Sequence, residues 1–197
     1  MLQTMEGMTI LALTFILQSP QIVLNPEHIQ FLIFEFLRKK MNKNLEKKLN
    51  AWHMIVIYDL LSLPGQSVYN VINILLKLLN IQFVALSDLE GAGTAILARE
   101  TQTSLIPINE FLKQVIFVEQ FDWGDFFLFS AVPNSWQELE KKSYPELIAL
   151  TETTLRAVDD TYIYMYTPYD EVVQLIKENY TIEEIKKGKL EDLDYPS

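Results

Sequence analysis

Apolar residues change their spacing along the chain near residue 81. Before it, Ile29, Leu32, Ile33, Phe36 and Leu37 recur at helical intervals, and Phe31 and Phe34 widen the same face. Asn25-Pro26-Glu27 reads as the start of this helix, with Asn25 as N-cap and Pro26 in the first turn, and the helix runs to about Met41. Leu45, Leu49, Trp52, Val56 and Leu60 predict a second helix over about 45–61, stopped by Leu63-Pro64-Gly65. Val68, Val71, Ile72, Leu75 and Leu79 predict a third over about 67–79. The result is a helical layer at residues 25–80.

From Ile81 the pattern is that of strands. IQFVALSD and GTAILARE, joined by Leu89-Glu90-Gly91-Ala92, read as a hairpin, and Pro107–Gln114 as a short helix. Val115–Ser130 holds ten aliphatic or aromatic residues in sixteen positions and marks the centre of a sheet. Its two apolar halves flank Asp122-Trp123-Gly124-Asp125, which reads as a hairpin turn or bulge.

Further on, Ser135, Ser143, Thr167 and Thr181 each stand three residues before an acid, the spacing of a capping box. They predict helices at about 136–142, 144–157, 168–179 and 182–187, the last closed by Gly188. TYIYMYT at 161–167 alternates with period two and is a strand. The fold class is therefore α+β. A largely antiparallel sheet from residues 81–131 and 160–167 is covered by the N-terminal helical layer and by C-terminal helices, in a single domain of residues 1–197. The segment 189–197 reads as a peripheral acidic tail.

Composition narrows the chemistry. The chain has no cysteine, which removes disulfides, thiolate nucleophiles and zinc sites of the cysteine type. Met8–Leu17 is apolar but lacks a basic residue before it and a small-residue cleavage site after it, so it reads as a buried element and not as a signal peptide. No stretch reaches eighteen uninterrupted apolar residues. The expectation is a soluble cytoplasmic protein with no membrane partner.

Charge is unevenly placed. Residues 1–100 hold eight acids and eight bases, whereas residues 101–197 hold eighteen acids and eight bases, so the net charge of −10 sits in the second half. Such a surface repels phosphate and argues against nucleic acid as a partner. The run at residues 38–48 carries six bases and one acid. It suits the solvated elbow of a helical hairpin, an anion-binding patch, or a contact with the acidic half of a second copy, which would make the protein a homo-oligomer.

Two candidate sites follow. Alternation puts Tyr162, Tyr164 and Tyr166 on one face of their strand and Ile163 and Met165 on the other. Asp159 and Asp160 precede the strand and Asp170 follows it, which gives an aromatic stripe with an acidic rim suited to a basic protein partner. Glu119, Asp122 and Asp125 form the second candidate, an acid cluster able in principle to bind a divalent cation or to serve as an acid and base pair. Turn chemistry accounts for the same acids. His53, between Trp52 and Met54, reads as a satisfied, partly buried group. Gly91 and Gly93 lack the remainder of a phosphate loop and read as a turn.

The run Phe121-Asp122-Trp123-Gly124-Asp125-Phe126-Phe127 resembles the glycine-aspartate-aromatic stretch of SMI1/KNR4-type immunity proteins over about a dozen residues. No functional residue is carried over from it. The first expectation is a non-catalytic, acidic protein-binding module of the inhibitor, immunity or accessory kind, with no cofactor and no metal. The alternatives are a metal-assisted or acid/base hydrolase using the cluster at 119–125, and a self-associating structural protein.

Overall fold

A computed structural model describes residues 51–58, 63–97, 105–132 and 142–196. All of them belong to one compact unit, Glu46–Ser197. The expected first helix at 25–41, the apolar run at 8–17, the basic run at 38–48 and, except for its last residue, the expected helix at 136–142 lie outside the described residues.

The elements in chain order are β1 (Trp52–Tyr58), α1 (Pro64–Leu75), β2 (Phe83–Glu90), β3 (Ile106–Pro107), α2 (Ile108–Val115) and β4 (Trp123–Phe129). They are followed by α3 (Tyr144–Ala149), β5 (Thr153–Val158), β6 (Tyr162–Thr167), α4 (Asp170–Asn179) and β7 (Thr181–Gly188). The strands form one sheet in the order β3-β2-β4-β5-β6-β1-β7, with every neighbouring pair antiparallel. The fold class is mixed α+β, as the sequence predicts.

Alternation along each strand divides the side chains between two faces. One face is mainly apolar, with buried His53, Thr153 and Thr167 at one end of it. Ile55 and Ile57 of β1, Phe126 and Leu128 of β4, Leu155 of β5, and Ile163 and Met165 of β6 pack there against Val68, Val71, Ile72 and Leu75 of α1, Phe111 and Val115 of α2, and Val172 and Ile176 of α4. The other face carries Trp52, Met54, Val56, Phe127, Phe129 and Tyr166, covered by Ile148 of α3 and by Leu190 and Leu193 of the C-terminal segment.

Several sequence expectations are corrected. Residues 52–58 form a strand, not part of a helix. WHMIVIY is rich in aromatic and β-branched residues and is buried on both faces between β6 and β7, so its apolar run satisfies helical spacing without being helical. The hairpin at 81–100 is absent over its described part: β2 pairs with β4 and β3, and residues 94–96 form a 3-10 turn. Val115–Ser130 is not a hairpin either. Val115 ends α2, and β4 runs straight through Gly124 and Asp125 between β2 and β5.

The helix expected at 144–157 stops at Ala149, although Ser143 and Glu146 form the capping box as read. Thr153-Thr154-Leu155 then favours the strand β5. Residues 182–187 lie in β7, where a bulge opposite Val56/Ile57 puts Ile182 and Ile185, three residues apart, against the same core. That bulge imitates helical spacing. The segment after β7 is not peripheral: Leu190 and Leu193 are buried and Tyr195 stacks on Tyr166.

Helix α1 enters against the 115–118 segment through Gly65, whose N–H donates to the Val118 carbonyl at 3.2 Å. A Cβ at residue 65 would stand 2.1 Å from the Val115 carbonyl oxygen and 2.7 Å from that of Val118. Gly65→Ala is therefore expected to lower unfolding free energy by about 2–3 kcal/mol, read by urea denaturation. A change below about 0.5 kcal/mol would show that the helix does not approach this closely.

Candidate functional site

The face covered by the C-terminal segment contains a buried charge pair. Asp125 of β4 and Arg156 of β5 are directly opposite in register, and their side chains meet as a two-bonded fork. Arg156 Nε donates to Asp125 Oδ1 at 2.6 Å and Nη2 to Oδ2 at 2.7 Å. The Tyr144 hydroxyl donates to Oδ1 at 2.9 Å, and Arg156 Nη1 donates to the Pro196 carbonyl at 2.6 Å. The guanidinium carbon lies 3.8 Å from the Tyr144 ring centroid and 4.6 Å from that of Trp123.

Burial pushes the Asp125 carboxyl upward, against the opposing pull of Arg156 and Tyr144. Burial is the largest influence on Arg156 and opposes its charge, but the bonds and charge of Asp125 together with Tyr144 and Tyr166 outweigh it and raise the guanidinium above its ordinary value. Desolvation, and then the Asp125 charge, push the Tyr144 hydroxyl far up. The network holds its protons where they are and serves as a structural clamp.

This placement bears on the acid cluster. Asp125 is fully buried with both oxygens engaged, whereas Glu119 and Asp122 are exposed and Asp122 accepts a bond from Gln120 Nε2 at 2.6 Å. Among the described residues no three His, Asp or Glu side chains are grouped to hold a metal ion, so Glu119, Asp122 and Asp125 are not brought together in that way. Among the described residues no helix is long and apolar enough to cross a membrane.

The tyrosine stripe lies on the same face as the clamp, and its three members differ. Tyr166 is fully buried, donates its hydroxyl to the Asp194 carbonyl at 2.8 Å, and stacks on Tyr195 with ring centroids 5.1 Å apart. Tyr162 and Tyr164 are half-buried and pack against the margin of the smaller core. Their rings are 6.4 Å apart, and Tyr58 from the end of β1 adds a third ring 5.7 Å from Tyr162. Tyr58 is 47% exposed. The three rings form a continuous ledge at one end of the sheet face.

Acids border it. Glu183 bonds to Tyr162, and its charge pushes that hydroxyl up. Asp159 and Asp160 form the β5–β6 turn in left-handed conformation, with φ of 49° and 55°. Asp159 is exposed, while Asp160 Oδ1 accepts the Phe121 N–H at 2.6 Å and so anchors the approach to β4. Asp170 is elsewhere. It opens α4 on the opposite face, where His53 Nε2 lies 2.9 Å and Lys187 Nζ 3.1 Å from its Oδ1.

Sequence reasoning missed Arg156, Tyr144 and Tyr58. Arg156 is the only arginine in residues 101–197 and stands between Leu155 and Ala157, a signal for a buried ion pair within a strand. Tyr58 was hidden by the helical reading of its segment.

Asp125→Ala should destabilise the fold by about 3–5 kcal/mol, because Arg156 is left charged and buried without its partner. Asp125→Leu combined with Arg156→Leu should recover much of that loss in denaturant unfolding. A double variant as unstable as the single one would contradict the clamp.

His53 gives a pH prediction. Burial first, then Lys187, lower its pKa below 6.5, while Asp170 opposes them. The unfolded chain then binds the proton more readily than the folded one. Stability from this group is full above its ordinary value of 6.5 and is lost as pH falls from there through the lower folded value. Asp170 is itself held below its ordinary range, first by its bond to Lys187, so its contribution persists across that window. His53→Gln should flatten the fall in unfolding free energy between about pH 7 and 5. An unchanged slope would rule the contribution out.

No protein-family model, curated protein or solved structure matches this chain.

Proposed function

We propose that the protein is a non-catalytic binding module of the inhibitor, immunity or accessory kind, which recognises a basic protein partner through the ledge of Tyr58, Tyr162 and Tyr164. The observation that carries this reading is the unbroken contact of three tyrosine rings on a partly open sheet face, one of them 47% exposed. Tyrosines offer broad contact area at low side-chain entropy cost and keep a hydroxyl for hydrogen bonding, which is why they are enriched at interfaces. Glu183 and Asp159 supply an acidic border, and the second half of the chain carries an excess of ten acids, so a basic partner is both steered in and paired at the rim. Tyr166 serves the reading only indirectly, by holding the C-terminal segment beside the ledge. Asp160 and Asp170 act within the fold, as acceptors for Phe121 and for His53 and Lys187.

Selection of peptides from a random displayed library on the intact protein tests this. Enriched peptides should carry Lys or Arg, and Tyr58→Ala combined with Tyr162→Ala should weaken their binding by about tenfold or more in calorimetry. Asp159→Asn with Glu183→Gln should lower the association rate and its salt dependence. Peptides without basic residues, or peptides whose affinity ignores the tyrosine variants while the fold is intact, would overturn the reading.

A further inference from the structure

Among the described residues, strand β7 ends the sheet. It pairs with β1 along Thr181–Gly188, and among the described residues no strand pairs with its other edge. An eight-residue edge offers a row of backbone donors and acceptors to another strand. Its sequence, TIEEIKKG, reverses in sign about Ile185, with Glu183 and Glu184 before it and Lys186 and Lys187 after it.

We propose that β7 pairs antiparallel with β7 of a second copy of this chain, about a two-fold axis at Ile185, so that the two sheets become one. In that register Glu184 of each copy stands opposite Lys186 of the other, and Ile185 stands opposite Ile185. Glu184 and Lys186 share a face, since they pair with Val56 and Met54, which point into the same core. Ile185 points to the other face, where it already packs at the margin of the larger core. Opposite charges directly across an antiparallel pair attract and like charges repel.

The pattern also selects against alternatives. Parallel in-register pairing sets Glu184 on Glu184 and Lys186 on Lys186. An antiparallel register centred on residue 184 or 186 sets one of those residues against itself. Only the register centred on Ile185 has opposite charges throughout, and a two-fold contact requires such self-complementarity. Lys186 is available for it, because its present partner Asp194 lies at 3.0 Å on the surface and both side chains are well exposed. The strand contact turns on Glu184, Ile185 and Lys186 and the ledge on Tyr58, Tyr162 and Tyr164, so the two proposals are tested independently, although Glu183 of β7 borders the ledge.

Sedimentation of the full chain up to about 1 mM should show a concentration-dependent dimer. Glu184→Lys and Lys186→Glu should each weaken it by about tenfold or more, because symmetry repeats each like-charge pair twice. The double variant Glu184→Lys/Lys186→Glu restores opposite signs and should dimerise again. An equimolar mixture of the two single variants should form heterodimers, which also shows that each is folded. A constant monomer mass for the wild type overturns the proposal, as do single variants that dimerise like wild type or a double variant and mixture that stay monomeric. Hydrogen exchange on the unaltered chain gives a second reading: amides of Thr181–Gly188 should gain protection with concentration, and unchanged protection in a dimeric sample would place the contact elsewhere and overturn it.

Discussion

The Asp125–Arg156 pair is the constraint on which one whole face of the sheet depends. Removing two charges from water costs several kcal/mol per ion unless every polar atom finds a partner. Here Asp125 accepts from Arg156 Nε and Nη2 and from Tyr144, while Arg156 Nη1 reaches the Pro196 carbonyl. Four parts of the chain are therefore needed at once: β4 and β5 supply the ions, α3 supplies Tyr144, and the C-terminal segment supplies a carbonyl. Tyr195 meets the Tyr144 ring edge-on at 5.4 Å and stacks on Tyr166, closing the same site from above. The opposite face holds no buried ion pair of this kind among the described residues: it is filled mainly by aliphatic and phenylalanine side chains, with His53, Thr153 and Thr167 hydrogen-bonded at one end.

This difference between the faces explains what the sequence revealed. β6 was legible because TYIYMYT alternates without ambiguity: Ile163 and Met165 went to the apolar core, and the tyrosines to the other face. α1 is legible from its apolar stripe and the capping box at Ser143 forms as read, whereas α4 is present although the capping box expected at Thr167 is not formed, its N-cap being Tyr169. β1 was not, since a strand buried on both sides has no polar face to betray its period. β7 failed for the opposite reason, because a bulge put Ile182 and Ile185 on one side at a spacing that a helix also gives.

The candidate sites show the same limit. Asp122-Trp123-Gly124-Asp125 looked like a turn because an aspartate inside a strand is unfavourable on its own terms. The residue that makes Asp125 tolerable is Arg156, thirty-one positions away, within a segment whose capping box had suggested a longer helix. No local pattern could connect them. Likewise, alternation shows the three tyrosines of β6 as a stripe, but the burial of Tyr166 depends on distant residues of the C-terminal segment, the Asp194 carbonyl and the Tyr195 ring, whereas Tyr162 and Tyr164 stay half-buried. That segment was read as peripheral because its anchors are few. Leu190, Leu193 and Tyr195 are nevertheless spaced so that a single 3-10 turn and a short extended stretch deliver all three to the sheet.

If β7 pairs as proposed, the cover over Tyr166 and the β7 edge together set how the two ledges are disposed. A two-fold axis through paired β7 strands lies perpendicular to the sheet, so both copies present the same face on the same side. Each ledge would then sit on one continuous sheet, with Glu183 of β7 at its inner border. A partner carrying two basic segments would meet the second ledge at high effective concentration, and weak single contacts would combine into tighter binding without any new side-chain contact. The acidic excess of each chain opposes close approach of two copies in general. In the proposed dimer, sign reversal along β7 would overcome that opposition only in the one register, which would confine the association of a strongly acidic protein to a single place.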